Sequence, residues 1–234
     1  MFCLHRVTDA IPPDGLTVSS SFFRELVRML REEFQPIPLR KLVSVLNHEE
    51  PWPNRAVVLT FDDGYEDNYT VAAPILREFG VPATFFVTVN AIGSQMRMTW
   101  DHDLPALPWM TWDMVRELSQ GGFEIGSHTL THCDLGTVKG QAAAAEIGDS
   151  KRRLEDKLGS EVRSFAYPFG GRDNFLTENL EWVKQAGYRC CCSAFGGAVW
   201  PGASPFAILR FGVNGTCSNV HDLRFDILFG RGGV

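Results

Sequence analysis

The sequence contains no run of about 18 consecutive apolar residues, so we expect no helix that crosses a bilayer. Positive charge is also scarce, since 22 Lys and Arg against 28 Asp and Glu give a formal net charge of -6. Nucleic acid is therefore not an expected partner, because its binding requires a basic surface. The opening MFCLHRV lacks the regions of a signal peptide. We expect a soluble, cytoplasmic protein, or an exported one whose signal segment has been removed.

Cysteine is present, but not in a metal-binding pattern. The 6 cysteines include no C-x-x-C pair, so we expect no structural zinc site among them. The consecutive Cys190, Cys191 and Cys192 would alternate between the two faces of a strand. We expect buried free thiols in a reducing compartment, with disulfides as the alternative.

Strand and helix patterns alternate along the chain, whose 234 residues suit one domain, placed at 1–234. Seven β-rich runs are MFCLHRV, RAVVLTF, PATFFVT, GFEIGS, RSFAYP, YRCCCSAF and AILRFGV. Six helical patterns are SSSFFRELVRMLREEF, NYTVAAPILREFG, TWDMVRELSQGG, QAAAAEIGDSKRRLEDKLG, TENLEWVKQAGY and SNVHDLRFDILFG. This alternation predicts an α/β fold with parallel strands, either a closed barrel or an open doubly wound sheet. The absence of a dinucleotide glycine fingerprint after the first strand favours the barrel.

One irregular segment, residues 90–110, is longer than ordinary loops. Such segments often form lids or substrate walls. Trp100, Trp109 and the nearby Trp112 would then stack on a sugar ring. The alternative is a hydrophobic plug that covers one end of the barrel.

Two histidines in SHTLTH are four residues apart, a spacing that places them on one side of a helical turn and suits a divalent metal. By itself, such a pair is also common at surfaces and helix caps. A zinc protease would carry a glutamate directly after the first histidine, His128, but Thr129 stands there. A site that uses His128 and His132 therefore needs its general base elsewhere.

Two adjacent carboxylates, Asp62 and Asp63, follow the apolar run in LTFDDGY, and like charges repel unless a positive group shares them. A metal held by two neutral histidines needs an anionic third ligand, and hydrolysis needs a carboxylate that accepts a proton from water. Adjacent residues at a strand end point in different directions, so each carboxylate can take one role. The ion would keep both ionised. The alternative is a solvated turn with Gly64 in a left-handed conformation.

TFDDG, SHTLTH and FAYPFGG, in this order, resemble the first three motifs of the NodB-like polysaccharide deacetylases, the family 4 carbohydrate esterases. The resemblance covers most of the chain, from RAVVLTF to AILRFGV, and implies a distorted (β/α)7-type barrel. It implies that Asp62 is the catalytic base and that Asp63, His128 and His132 bind the metal. The implied ion is Zn2+, with Co2+ or Ni2+ as alternatives.

The third motif, by the same resemblance, shapes one side of the substrate groove. It implies that the backbone N–H of Phe169 donates to the oxyanion. The substrate contacts that we expect around it are Trp100, Trp112, Tyr167, Pro168 and Gly170.

Two departures from the family pattern affect the catalytic residues. The arginine of the third motif is Ala166 here. We expect Arg210 to replace it beside the base, with Arg163 and Arg172 as alternatives. An ordinary salt bridge is the alternative for each arginine.

The family usually supplies its general acid, a histidine, late in the chain. After Arg210 only His221 remains, and it lies in a helical pattern. The opening CLHRV instead resembles the YHRV of circularly permuted members, so we expect His5 to be the general acid, with a buried structural histidine as the alternative. We expect Cys133 to be a bystander, because a fourth protein ligand would block the position that catalysis needs.

The function implied is metal-dependent removal of N-acetyl groups from N-acetylhexosamine units of a polysaccharide or its precursor. An O-acetyl esterase or a non-sugar amidase would use the same fold. A non-catalytic carbohydrate-binding protein is a further alternative. An N-acetylated glycan or glycan precursor is the expected partner, and the sequence does not predict the oligomeric state.

Overall fold

A parallel seven-stranded sheet forms the centre of the computed structural model, which describes residues 1–217 and 219–229. Its strands are β1 (Phe2–Leu4), β2 (Leu59–Phe61), β3 (Ala83–Val87), β4 (Glu124–Ser127), β5 (Ser164–Ala166), β6 (Cys190–Cys192) and β7 (Phe211–Gly212). The strand order is β6-β5-β4-β3-β2-β1-β7, and every neighbouring pair is parallel. Each strand lies within one of the seven predicted runs. The sheet curls into a half-barrel with helices around it, which confirms the predicted α/β barrel-type fold.

The helices are α1 (Ser20–Glu33), α2 (Leu39–Leu46), α3 (Ala73–Phe79), α4 (Trp112–Gln120), α5 (Gly140–Leu158), α6 (Thr177–Gln185) and α7 (Val220–Phe229). One π-helical turn, Asn68–Ala72, precedes α3. The six predicted helical patterns are confirmed, whereas α2 was missed. Within the described ranges, no helix has the length and apolar character needed to cross a membrane.

The chain from Ile208 to Phe211 contacts both strand β6 and the residue before β1. Ile208 forms a parallel bridge with Cys192 of β6, and the backbone N–H of Phe211 donates to the carbonyl of Met1 at 2.9 Å. Arg210 therefore lies between the two contacts, at the place where the sheet comes closest to closing.

Two hydrophobic layers lie on opposite faces of the sheet. Phe61, Phe85 and Phe165 pack in the layer that includes the buried faces of α1 and α3. Phe86, Ala166, Cys190 and Cys192 pack in a second layer, which α2 covers. Cys191 belongs to the first layer, so the three consecutive cysteines alternate faces as predicted, and all six cysteines are free thiols.

Polar residues directly follow four strands of the central sheet at their carboxyl ends. His5 follows β1, Asp62 follows β2, His128 follows β4 and Tyr167 follows β5. Because parallel strands end at the same edge of a sheet, these side chains meet in one place.

Candidate active site

A sharp turn after β2 separates the two carboxylates. Asp63 has a φ of 74° and Gly64 a φ of 97°. A Cβ at Gly64 would lie 2.9 Å from the Cδ1 atom of Ile92, so both the backbone and the space require glycine. The turn directs Asp62 and Asp63 to different partners.

The two histidines lie on a loop after β4, not on the helical turn that their spacing suggested. Thr129 and His132 both have a positive φ, 67° and 60°, and the backbone N–H of His132 donates to the Thr129 hydroxyl at 3.0 Å. Glu146 of α5 accepts hydrogen bonds from two further backbone N–H groups of this loop, each at 3.0 Å. Strained backbone of this kind persists where the surroundings hold it and is frequent at functional sites.

Asp63, His128 and His132 meet as a buried cluster whose ligand atoms all lie within 4.8 Å of one another. The Nε2 atoms of His128 and His132 lie 3.4 and 3.2 Å from Oδ1 of Asp63. Across the described residues, neither carboxylate oxygen of Asp63 has a hydrogen-bond partner, although both are buried. An unpaired buried carboxylate beside two imidazoles fits a divalent cation.

Both histidines have surroundings that favour this role. Nδ1 of His128 lies 2.8 Å from the carbonyl oxygen of Ala166, a contact that directs Nε2 towards the cluster. Burial lowers the pKa of His128 to about 4, so its ring is neutral at pH 7, as a metal ligand must be. Burial alone would raise the pKa of Asp63, but His132 beside it outweighs burial and holds that pKa low.

Asp62 forms a buried ion pair with Arg210. The guanidinium donates to both carboxylate oxygens at 2.7 Å, and also to the Thr60 hydroxyl at 3.1 Å and the Ser193 carbonyl at 2.8 Å. Burial alone would raise the pKa of Asp62, but Arg210 outweighs it, so the pKa is lowered and the carboxylate is ionised. This bidentate contact fixes the orientation of the carboxylate.

The other two candidate arginines lie elsewhere. Arg163 pairs with Glu161 at 2.8 Å on the surface, and the guanidinium of Arg172 lies 5.0 Å from the ring centre of Phe195. Of the three, only Arg210 contacts Asp62 in the part of the chain that the structure describes.

His5 directly follows β1, the strand that pairs with β2 and its Asp62. A ring nitrogen of His5 lies within 4.8 Å of a carboxylate oxygen of Asp62, and its backbone carbonyl accepts a hydrogen bond from Asn68 at 2.7 Å. The alternative candidate, His221, is exposed on α7. Cys133 is half-buried beside Glu146, and burial raises the pKa of its thiol to about 12.

A cavity of about 330 Å³ opens over these groups. It is lined by His5, Leu16, Asp62, Asp63, Trp100, His128, His132, Tyr167 and Phe169. The rings of Trp100 and Phe169 each lie 4.9 Å from the His132 ring, and 6.0 Å from each other. Phe169 has a φ of 60°, and over residues 1–217 and 219–229 its backbone N–H has no hydrogen-bond partner. The cavity therefore has two aromatic sides and an available N–H donor at its rim.

Three of the predicted substrate contacts do not line this cavity. Trp112 starts α4, where its ring packs on the hydrophobic core, 5.7 Å from the ammonium of Lys157. Pro168 is buried, and Gly170 is packed so closely that an added Cβ would lie 2.5 Å from the backbone nitrogen of Ala194. Pro168 and Gly170 lie in the loop that carries Phe169, whereas Trp112 lies on α4. A contact of these three residues with substrate stays a prediction.

The long segment 90–110 has one part that is buried and another that lines the cavity. Trp109 is buried and stacks on Tyr65 with ring centres 4.4 Å apart, so this part is a hydrophobic plug. Trp100, from the same segment, forms a wall of the cavity.

A buried polar network that the sequence did not predict anchors Trp100. Arg6 pairs with Asp101 and donates to both carboxylate oxygens of Asp14, at 3.0 and 2.9 Å. The Tyr65 hydroxyl donates to Asp101 at 2.5 Å and accepts from Nε1 of Trp100 at 3.2 Å. The two halves of this network lie far apart in sequence, so no local pattern indicates it. It connects the residue after His5 to the residue after Trp100.

Comparison with known proteins identifies a matching family and several relatives. A family model described as Polysaccharide deacetylase matches residues 49–191, which include both aspartates, both histidines and Tyr167 but not His5 or Arg210. A protein of Staphylococcus epidermidis named poly-beta-1,6-N-acetyl-D-glucosamine N-deacetylase is 28% identical over 200 residues, 83% of this chain and 67% of the relative. A protein of Escherichia coli K12 with the same name is 34% identical over 131 residues, 53% of this chain and 20% of the relative. The chain thus spans about two thirds of one relative and a fifth of the other.

The fold is shared with a solved deacetylase. The structure of Streptococcus pyogenes deacetylase PplD in complex with acetate superposes with a TM-score of 0.81 at 21% identity, covering 97% of both chains. At this identity the similarity establishes the fold alone.

Proposed function

Because this chain belongs to the polysaccharide deacetylase family, we propose that it is a metal-dependent hydrolase that removes N-acetyl groups from N-acetylhexosamine units of a polysaccharide or its precursor. One observation carries the proposal: an unpaired buried carboxylate, two imidazoles and a second, arginine-held carboxylate line the same cavity. The names of the Escherichia coli and Staphylococcus epidermidis relatives support poly-β-1,6-N-acetylglucosamine as the first polymer to test.

We assign the metal to Asp63, His128 and His132. When bound there, a divalent ion such as Zn2+ supplies Lewis acidity, which polarises a carbonyl oxygen and makes water a stronger nucleophile. His128 is already neutral, and its Nδ1 contact with Ala166 leaves Nε2 free to bind. Burial alone would lower the pKa of His132, but the neighbouring Asp63 carboxylate raises it, so His132 would release a proton when the ion binds.

Asp62 is the proposed general base. It is ionised, it lines the cavity, and the two hydrogen bonds from Arg210 hold its plane fixed. Its role is to accept a proton from the attacking water molecule, a contribution of roughly 100- to 10,000-fold in rate.

His5 and Phe169 complete the proposed machinery. His5 is placed to donate a proton to the leaving amine, because it lines the cavity on the side of Asp62. The unpaired N–H of Phe169 stabilises the negative charge that develops on the acetyl oxygen. Trp100 and the ring of Phe169 offer apolar sides to the sugar and its acetyl group.

The test is acetate release from β-1,6-linked and β-1,4-linked N-acetylglucosamine oligomers, with metal-stripped protein resupplied with zinc or cobalt. We expect metal-dependent release that Asp62→Asn abolishes without loss of bound metal, and that His128→Ala abolishes together with metal binding. Asp156→Asn, at an exposed carboxylate of α5, is the matched control and should be fully active.

Two results would contradict the proposal. An active Asp62→Asn variant would refute the base assignment. Stoichiometric metal with no acetate from any N-acetylated glycan would refute N-deacetylation, and O-acetylated glycans and non-sugar amides would then be the substrates to examine.

A further inference from the structure

A second group of side chains with metal-ligating atoms lies beside the first. The ligand atoms of Cys3, His5 and Asp62 all lie within 4.8 Å of one another. Cys3 and His5 are two residues apart along an extended segment, so their side chains point to the same side. We propose that these three residues form a second, weaker site for a divalent ion such as zinc, and that its occupancy inhibits the enzyme.

The donor set suits zinc. Cysteine sulfur, histidine nitrogen and carboxylate oxygen are the three donor types that zinc takes in proteins, and three protein ligands leave a position for water. The Cys3 thiol donates to Oδ2 of Asp62 at 3.3 Å. Coordination replaces this hydrogen bond, and the thiol proton is released to solvent.

The cavity gives an ion access to this site. His5 and Asp62 both line the cavity, whereas Cys3 lies behind them with a 1% exposed side chain. An ion that enters along His5 reaches the Asp62 carboxylate first, and the Cys3 sulfur lies 3.3 Å from its Oδ2 atom.

Arg210 makes the second site weaker than the first. Its guanidinium donates to both oxygens of Asp62, so it repels a cation there and occupies a lone pair on each oxygen. Oδ2 keeps one further lone pair, the one that the Cys3 thiol uses. Asp63, by contrast, has no competing partner among the described residues. We therefore expect the site of Asp63, His128 and His132 to fill first, and that of Cys3 only in excess metal.

The functional consequence rests on the proposed function, but the metal binding does not. An ion held by Cys3, His5 and Asp62 occupies the oxygen of the base and the nitrogen of the acid. Acetate release should therefore rise with the first equivalent of zinc and fall as further zinc is added.

The experiment is a cobalt titration of the metal-stripped protein, followed by absorption spectroscopy. The first site contains no sulfur, so the near-ultraviolet charge-transfer band of a cobalt–thiolate bond reports the second site alone. In wild type, we expect the band only when more than one equivalent of cobalt has been added. Cys133→Ser should give the same result; it is the matched control because Cys133 is the thiol that follows His132. We expect Cys3→Ser to lose it. His5→Gln, which leaves the thiol in place, should require at least 10-fold more cobalt.

Three results would overturn the proposal: no band in wild type at excess cobalt, a band that survives Cys3→Ser, or a band lost in Cys133→Ser alone. Zinc inhibition is measured in parallel, relative to the activity of each variant at one equivalent. Cys3→Ser should need at least 10-fold more zinc for half-inhibition, and equal sensitivity would refute the inhibitory role. If no acetate is released at all, the proposed function fails, while the cobalt band still decides the second site.

Discussion

Replacing Arg210 with methionine tests how strongly this arginine and Asp62 depend on each other. Both side chains are buried, 0% and 3% exposed, and two hydrogen bonds of 2.7 Å join them. Removing one member of such a pair leaves an uncompensated buried charge, which costs about 3–5 kcal/mol of the free energy of unfolding. We expect this loss in Arg210→Met, and a loss in the same range or smaller in Asp62→Asn, which removes the charge but keeps a polar group.

The double variant separates this coupling from simple loss of packing. The double variant Arg210→Met/Asp62→Asn leaves no charge unpaired. Its loss in the free energy of unfolding should therefore be about 2–3 kcal/mol smaller than the sum of the losses in the two single variants. Urea unfolding of the metal-free protein measures all four species. The exposed pair of Lys184 and Glu181, 2.8 Å apart, is the control cycle and should couple by less than about 1 kcal/mol. A coupling for the buried pair as small as this control would refute the reasoning.

Arg210→Lys extends the prediction to catalysis. Lysine keeps the positive charge but cannot donate to both oxygens in one plane, so Asp62 is less well oriented. General-base catalysis contributes roughly 100- to 10,000-fold, and we expect turnover to fall by about 10- to 100-fold. Metal content should not change, because no contact of Arg210 with Asp63 or with either histidine occurs in the described residues. Wild-type turnover in Arg210→Lys would contradict an orienting role.

Three further predictions follow from other parts of the structure. Gly64→Ala should cost at least roughly 1–3 kcal/mol of the free energy of unfolding and should reduce zinc binding. Gly80→Ala has a positive φ but nothing within 4 Å of its Cβ position, so it should lose stability and keep its zinc binding. Thermal unfolding and metal analysis of both variants test this, and equal zinc content in the two would contradict it. Asp101→Asn should raise KM for N-acetylglucosamine oligomers several-fold more than it lowers kcat, because it loosens the support of Trp100; steady-state kinetics that show the reverse would count against it. Burial raises the pKa of Asp67 to about 6, above its unfolded value of about 3.9, so this carboxyl group destabilises the fold increasingly as pH rises through that interval. Asp67→Asn should therefore gain roughly 1–3 kcal/mol at neutral pH and nothing below about pH 4 in urea unfolding, and a gain that is equal at both pH values would exclude this explanation.

The strands were predictable because each carries a β-rich run with its own turn signals. Helix α2 was missed although Leu39, Leu42, Val43 and Leu46 have helical spacing, because the run is only eight residues long and follows closely spaced prolines. Local pattern was therefore sufficient for the seven strands of the central sheet and for the long helices. It was insufficient for a short helix that tertiary packing stabilises, and for the short strands Thr17–Val18 and Gln35–Pro36.

The candidate site, too, was predictable from the sequence only in part. The motifs indicated Asp62, Asp63, His128 and His132, and the structure brings all four to one cavity. The histidine loop was interpreted as a helical turn because spacing alone does not reveal left-handed residues such as Thr129.

Contacts between distant residues were beyond the reach of sequence patterns. The link from Arg6 to Asp101 and the bond from Cys3 to Asp62 each join residues more than fifty positions apart. Such pairs depend on the order of strands in the sheet, which a single sequence does not encode in any short window.

The insertion of β1 between β2 and β7 has a consequence for folding kinetics. The Asp62 carboxylate takes one neighbour, Cys3, from 59 positions before it and another, Arg210, from 148 positions after it. Contacts of such large sequence separation form late, because the entropy of closing long loops must be overcome first. In a refolding experiment, the circular dichroism signal of the helices should recover before enzymatic activity. The return of activity would then report when β1 and β7 join the sheet.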